Sequence, residues 1–135
     1  MPGLGVRETH ELGQAFRVDM RLRPSGRSGP VATRLDAFAH YQEKEAWTWE
    51  HMALTRARLI CGDESLIGEA ESIISDVLSK KRDIAKVAHD VAEMRELIEK
   101  EKAPDNAWDL KLIPGGVVDV EFIAQYLALI APAKG

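Results

Sequence analysis

Two consecutive apolar stripes at helical spacing constrain this chain more than any other feature. Leu66, Ile67, Ala70, Ile73, Ile74, Val77 and Leu78 recur every three or four residues. After a short polar break, Ile84, Val87, Ala88, Val91, Met94, Leu97 and Ile98 do the same. This spacing lines each set along one side of a 3.6-residue helix, so two successive amphipathic helices are predicted. Asp63 and Asp83 stand just ahead of the two stripes, where a carboxylate can accept from the free N–H groups of a first turn. Lys80-Lys81-Arg82 suits the negative end of the first helix dipole.

The flanking segments extend the pattern. Leu35, Phe38 and Tyr41 fit one face of a short helix. A further helix is predicted from about residue 44 to 60, carrying Trp49, Met52, Ala53, Arg56 and Ile60 on one stripe and ended by Cys61-Gly62. Pro104 sits in a polar connection, a short apolar stretch follows over residues 108–113, and Pro114-Gly115-Gly116 forces a turn. Residues 117–131 form the last predicted helix. It is apolar on most of its circumference, so it is expected at the centre. About five helices with short connections predict a mainly α fold, an antiparallel helical bundle.

Ahead of the bundle the period changes. Phe16, Val18, Met20 and Leu22 alternate with Arg17, Asp19, Arg21 and Arg23, the mark of a half-buried strand. Residues 24–30, with two prolines and two glycines, read as a loop. A single N-terminal β-strand cannot satisfy its own ladder, so its partners are missing, weakly formed near the N-terminus, or supplied by another chain, a second copy at the exposed edge being one source.

Composition narrows the function classes. A net charge of -4 argues against nucleic acid as the main partner, since phosphate-binding surfaces carry a basic excess. Cys61 is the only cysteine, which excludes an internal disulfide and suits a reducing compartment. The four histidines show no zinc-ligand spacing, no signal pattern opens the chain, and no apolar run approaches a membrane span. The expectation is a soluble, cytoplasmic domain with neither a nucleic-acid nor a membrane partner.

Asp19 is the sharpest chemical feature. On the polar face of the strand, between Arg17 and Arg21 and near Arg23, its carboxylate should stay ionised as a metal ligand must. The arginines can meet phosphate oxygens bidentately. The plainer reading is a solvated strand face with ordinary surface ion pairs. At the other end, Lys111, Gly115 and Gly116 offer two readings: a backbone and charge suited to an anion at a helix N-terminus, or a tight turn into a buried helix. Asp119, in that helix's first turn, suits the dipole, and it or Glu121 can serve an arginine from a neighbouring helix. Two positions apart, these acids point to different sides and make no paired site. Trp47 and Trp49 read first as packing residues, and as a wall beside a ligand second.

One resemblance changes these weights. The run Phe16-Arg17-Val18-Asp19-Met20-Arg21-Leu22-Arg23-Pro24-Ser25-Gly26 resembles the segment of the glutamine synthetase adenylyltransferases that carries their third catalytic carboxylate. The likeness continues in order through Tyr41-Gln42, Glu45-Ala46-Trp47-Thr48-Trp49-Glu50-His51, Ala53-Leu54-Thr55-Arg56-Ala57-Arg58, Gly62-Asp63, Glu93-Met94-Arg95, Trp108-Asp109-Leu110-Lys111, Gly115-Gly116, Asp119 and Glu121-Phe122. The resemblance implies a polymerase-β-like nucleotidyltransferase, whose three acids hold magnesium against ATP. Residues 1–30 are then the end of the catalytic domain, with the strand left over from its sheet. Residues 31–135 are the helical domain behind it, cut short at its C-terminus.

In that frame Asp19 is a catalytic residue and magnesium ligand, and Arg21, Arg23, Lys111, Gly115 and Gly116 contact the nucleotide. Glutamine synthetase is the implied protein substrate, modified on a tyrosine, and the PII signalling protein the implied regulator, in the control of nitrogen assimilation. The tryptophan-rich stretch is more like the AMP-attaching half of these bifunctional enzymes than the AMP-removing half or the related PII uridylyltransferases. No Asp precedes Asp19, so the first two acids of the family are missing and the chain alone is expected to be inactive. A helical interaction module in which Asp19 is idle is the alternative.

Overall fold

Both apolar stripes form helices, and each starts on its predicted aspartate. The computed structural model describes residues 23–102, 104, 106 and 108–131. Within them the order is a 3-10 turn at Gly26–Ser28, then α1 (Leu35–Lys44), α2 (Thr48–Leu54), α3 (Glu64–Ser79), α4 (Ile84–Glu101) and α5 (Val117–Ile130). The described residues contain no strand. The predicted strand with Phe16 and Asp19, and any pairing through it, lie outside them.

Local chemistry explains these limits. Asp63 accepts from the Ser65 N–H at 3.0 Å and opens α3, while Asp83 accepts from Ala85 and Lys86 at 2.9 and 3.1 Å and opens α4. The basic run ends α3 by direct bonding. Arg82 donates to the carbonyls of Val77 at 2.9 Å, Lys80 at 3.0 Å and Leu78 at 3.3 Å, satisfying acceptors that a helix end leaves open.

The second helix is a correction to the sequence reading. The expected span from about residue 44 to 60 is seven residues of helix, Thr48–Leu54, preceded by a break after α1. The break forms because Glu45 N–H and Ala46 N–H both turn back to the Tyr41 carbonyl. At the other end the Thr55 hydroxyl donates to the Met52 carbonyl at 2.7 Å, and the next backbone bonds are i→i+3 turns from Arg56 and Ala57. A threonine bonding its own helix in this way competes with the ladder. Ile60 is accordingly left exposed.

Met52, Val87 and Leu129 are the buried centre where α2, α4 and α5 meet, with Trp49, Leu78, Val91, Phe122 and Tyr126 packed around them. α3 lies against α1 and α2. Met52 is 2% exposed, so its truncation to alanine would cost about 2–5 kcal/mol in lost transfer and cavity terms. Trp49 is thus a packing residue, whereas Trp47 is exposed.

The last helix also departs from expectation. Val118 and Leu129 are buried, but Val117, Val120, Ile123 and Leu127 are between 53% and 63% exposed. α5 therefore lies at the edge of the described packing, covered mainly by α2 and α4. No described helix is long and apolar enough to cross a membrane.

Candidate functional site

The loop that follows Asp19 is closed on itself. Arg23 Nε donates to the Gly29 carbonyl at 3.3 Å, and Gly26 N–H donates to the Arg23 carbonyl at 2.8 Å. Ser25 takes a left-handed conformation, φ 59°, and a Cβ on Gly29 would collide with the Pro24 carbonyl. Arg23 thus commits one donor to its own loop. Asp19 and Arg21 lie outside the described residues.

A buried carboxylate joins this region to the helices. Glu50, 9% exposed, accepts from the Tyr41 hydroxyl and from the Trp47 N–H, both at 2.8 Å. The second bond is half of a capping box, closing the first turn of α2 although a tryptophan at the N-cap offers no acceptor in return. The Ser25 N–H faces the Tyr41 oxygen. Burial first, and then the Glu50 carboxylate, push the Tyr41 phenol above its usual range.

One residue further, His51 Nε2 meets the Gln42 carbonyl at 2.9 Å and Nδ1 faces Arg82 Nη2 at 3.4 Å. Nδ1 must accept from a guanidinium, so the ring is neutral with its proton on Nε2. Burial holds the His51 pKa below its ordinary value, and the Arg82 charge adds to that effect.

At the far end, Arg95 of α4 grips Asp119 in the first turn of α5. Arg95 Nε donates to Asp119 Oδ1, Arg95 Nη2 donates to the Leu112 carbonyl at 3.3 Å, and Gly115 N–H donates to Asp119 Oδ2 at 2.5 Å. The Arg95 bond, then the Gly115 N–H, hold the Asp119 carboxyl below the usual range. The neighbouring N–H groups are also used internally: Gly116 to Ile113, Val117 to Leu110 and Val118 to Lys111.

The two glycines have separate reasons. Gly115 has φ 79°, and a Cβ on Gly116 would stand 2.6 Å from the Leu110 carbonyl oxygen and 2.8 Å from that of Ile113. This geometry favours the tight-turn reading of Gly115 and Gly116, with Lys111 exposed beside them. Among the described residues, no group of three or more His, Cys, Asp or Glu side chains could hold a metal ion.

The Tyr41–Glu50 link, the His51–Arg82 contact and the Arg95–Asp119 pair join residues far apart in sequence. Only the last was among the options the sequence offered. The first carries a readable trace: Glu50 is three residues after Trp47, the spacing of a capping box without its usual serine or threonine.

The chain as a whole is similar to known proteins. The family model described as glutamate-ammonia ligase adenylyltransferase matches residues 7–73. A bifunctional glutamine synthetase adenylyltransferase/adenylyl-removing enzyme of Rhizobium meliloti (strain 1021) is 71% identical over 123 residues, 91% of this chain and 12% of the relative. The chain belongs to the glutamate-ammonia ligase adenylyltransferase family. Identically named proteins of Agrobacterium fabrum and Brucella suis biovar 1 are 68% identical over 91% of the chain and 59% over 90%. The chain spans 12% of the length of each of these adenylyltransferase relatives. The stretch matched by the adenylyltransferase family model contains Asp19, Arg21, Arg23, Tyr41, Glu50 and His51.

Proposed function

We propose that this chain is part of an enzyme that moves AMP onto glutamine synthetase, and that it serves the adenylyl-transferring reaction. The observation that carries the enzyme reading is the 71% identity, across nearly the whole chain, to a relative named for both AMP transfer and AMP removal; the tryptophan-rich stretch over residues 45–51 supports the transferring reaction. In this reaction a tyrosine hydroxyl attacks the α-phosphorus of ATP, its oxygen forms the new P–O bond, and pyrophosphate leaves with the bond that breaks.

Asp19 is proposed as one of the carboxylates that hold magnesium, with the other acids supplied by further polypeptide. Bound magnesium would offset negative charge on the phosphates. Arg21 and Arg23 are proposed to orient the phosphate oxygens, Arg23 from a loop that its own Nε helps to close. Lys111 adds positive charge near the start of α5, while Gly115 and Gly116 seat that helix. The helical residues from Leu35 onward then back the catalytic strand and help present the target protein. A PII-type signalling protein as regulator and a cytoplasmic location follow from the same reading.

The test replaces the matching 123-residue stretch of the Rhizobium meliloti relative by this sequence and compares Asp19→Asn with the parent. Loss of AMP addition with AMP removal retained is the expected result. Loss of removal alone would assign the stretch to the other activity. If both activities survive, Asp19 is not a metal ligand.

A further inference from the structure

Tyr41 ties the turn that follows Asp19 to the helices. Its backbone carbonyl accepts from the Glu45 and Ala46 N–H groups where α1 ends. Its hydroxyl donates to Glu50 Oε1 at 2.8 Å, while Glu50 Oε2 accepts from the Trp47 N–H at 2.8 Å. Both oxygens of this buried carboxylate are thus held. A carboxylate offers only acceptors, so it takes the phenol proton and leaves the phenol oxygen its lone pairs. The Ser25 N–H faces that oxygen.

The other N–H groups of the turn serve the turn itself. Those of Gly26, Ser28 and Gly29 donate to the carbonyls of Arg23, Ser25 and Gly26. Ser25 is exposed at φ 59°, a conformation that costs a residue with a Cβ and persists where its surroundings hold it. Its N–H, aimed at Tyr41, therefore links a strained turn to the polar network of α1 and α2. Arg23 opens the same turn and gives its Nε to the Gly29 carbonyl at 3.3 Å. Whatever holds the turn also sets the base of the Arg23 side chain.

We propose that Tyr41, backed by Glu50, is a positioning residue for the adenylyl chemistry of this site. It moors the turn over residues 23–29, so that Arg23, and Asp19 close ahead of it in sequence, meet the nucleotide in one set geometry. This rests on the reading of Asp19 and Arg23 as parts of the nucleotide site. Tyr41 touches no reacting atom and acts through the turn. Reacting groups keep their geometry only when a packed and hydrogen-bonded shell supports them, and small displacements are costly in rate.

The experiment uses the Rhizobium meliloti chimera with two readouts, deuterium uptake by peptide and steady-state AMP addition and removal. In Tyr41→Phe, exchange in the peptide over residues 23–30 should quicken at least about tenfold, with uptake in α3 unchanged. AMP addition should lose about tenfold in kcat, with KM for glutamine synthetase unchanged and AMP removal retained, because a placement defect acts on the transition state. Glu50→Gln still offers an acceptor to the Trp47 N–H and should move both readouts the same way by less. Unchanged uptake in the turn overturns the proposal. So does a fall in both activities with faster uptake throughout, which is loss of the fold. Loss of removal in place of addition keeps the positioning role and assigns it to the other activity. Full addition by Tyr41→Phe beside an inactive Asp19→Asn overturns the positioning role alone. Full activity of both variants overturns the nucleotide-site reading with it.

Discussion

Arg95 and Asp119, twenty-four residues apart, lock the middle of α4 to the first turn of α5. The two Asp119 oxygens divide their partners. Oδ1 accepts from Arg95, and Oδ2 accepts from the Gly115 N–H that no helix bond would satisfy. The carboxylate is thus at once a partner for a mostly buried guanidinium and a brace for the turn that aims α5. Asp119→Ala should cost about 1–3 kcal/mol, since it strands a charged donor away from water. Urea unfolding of the two proteins measures it, and a loss below about 0.5 kcal/mol would show that the pair contributes little to the fold.

The same carboxylate sets an acid limit. Asp119 and Asp90 are both held below their usual range, the first by Arg95 and Gly115, the second by Thr48 and then Lys86. A depressed folded pKa means that the unfolded chain takes up protons first as pH falls. Their contribution is therefore complete well above about pH 4 and is lost as pH drops through the folded values. Melting temperatures from neutral pH down to about pH 3 should fall, and less steeply in Asp119→Asn than in the parent. Identical slopes would show that Asp119 has no part in the acid limit.

His51 acts at milder pH, with the same sign for a different reason. Its folded pKa lies below the ordinary 6.5, because burial and Arg82 disfavour a second cation. Between the two values the unfolded chain binds the proton and the folded one does not, so stability rises with pH there. In a melting series across about pH 7.5 to 5.5, His51→Gln should flatten part of the decline. A slope unchanged by that substitution would place the effect elsewhere.

Gly116→Ala and Gly115→Ala should differ in kind. The first drives a methyl group against the backbone carbonyls of Leu110 and Ile113, which cannot rotate away. The second meets open space and costs only the strain of φ 79°. Gly115→Ala should lose about 1–2 kcal/mol, Gly115→Asn less, and Gly116→Ala more than either. Chemical denaturation ranks them; a Gly116→Ala protein as stable as Gly115→Ala would contradict the packing described for this turn.

Tyr41→Phe keeps the ring but removes the donor to Glu50, a buried carboxylate left with the Trp47 N–H alone, and the oxygen that the Ser25 N–H faces. The expected cost is about 1–3 kcal/mol. In a double-mutant cycle with Glu50→Gln the two effects should fall well short of adding. Strict additivity would mean that the Tyr41 hydroxyl and Glu50 do not act together.

The sequence by itself determined where α3 and α4 begin, because capping and periodicity are local. Asp63 and Asp83 open their helices by bonding N–H groups two or three residues away, and the stripes behind them repeat at 3.6 residues whatever they pack against. The paired glycines were legible as a turn for the same reason. The tertiary structure alone decided how much of α5 is covered and which charges meet. Apolar residues on most of the circumference of α5 leave several of its sides fit for burial; only its neighbours settle which side is buried. Arg95 could have met several acids, and it meets Asp119 because α4 and α5 pack together, a relationship between distant residues that no local pattern encodes.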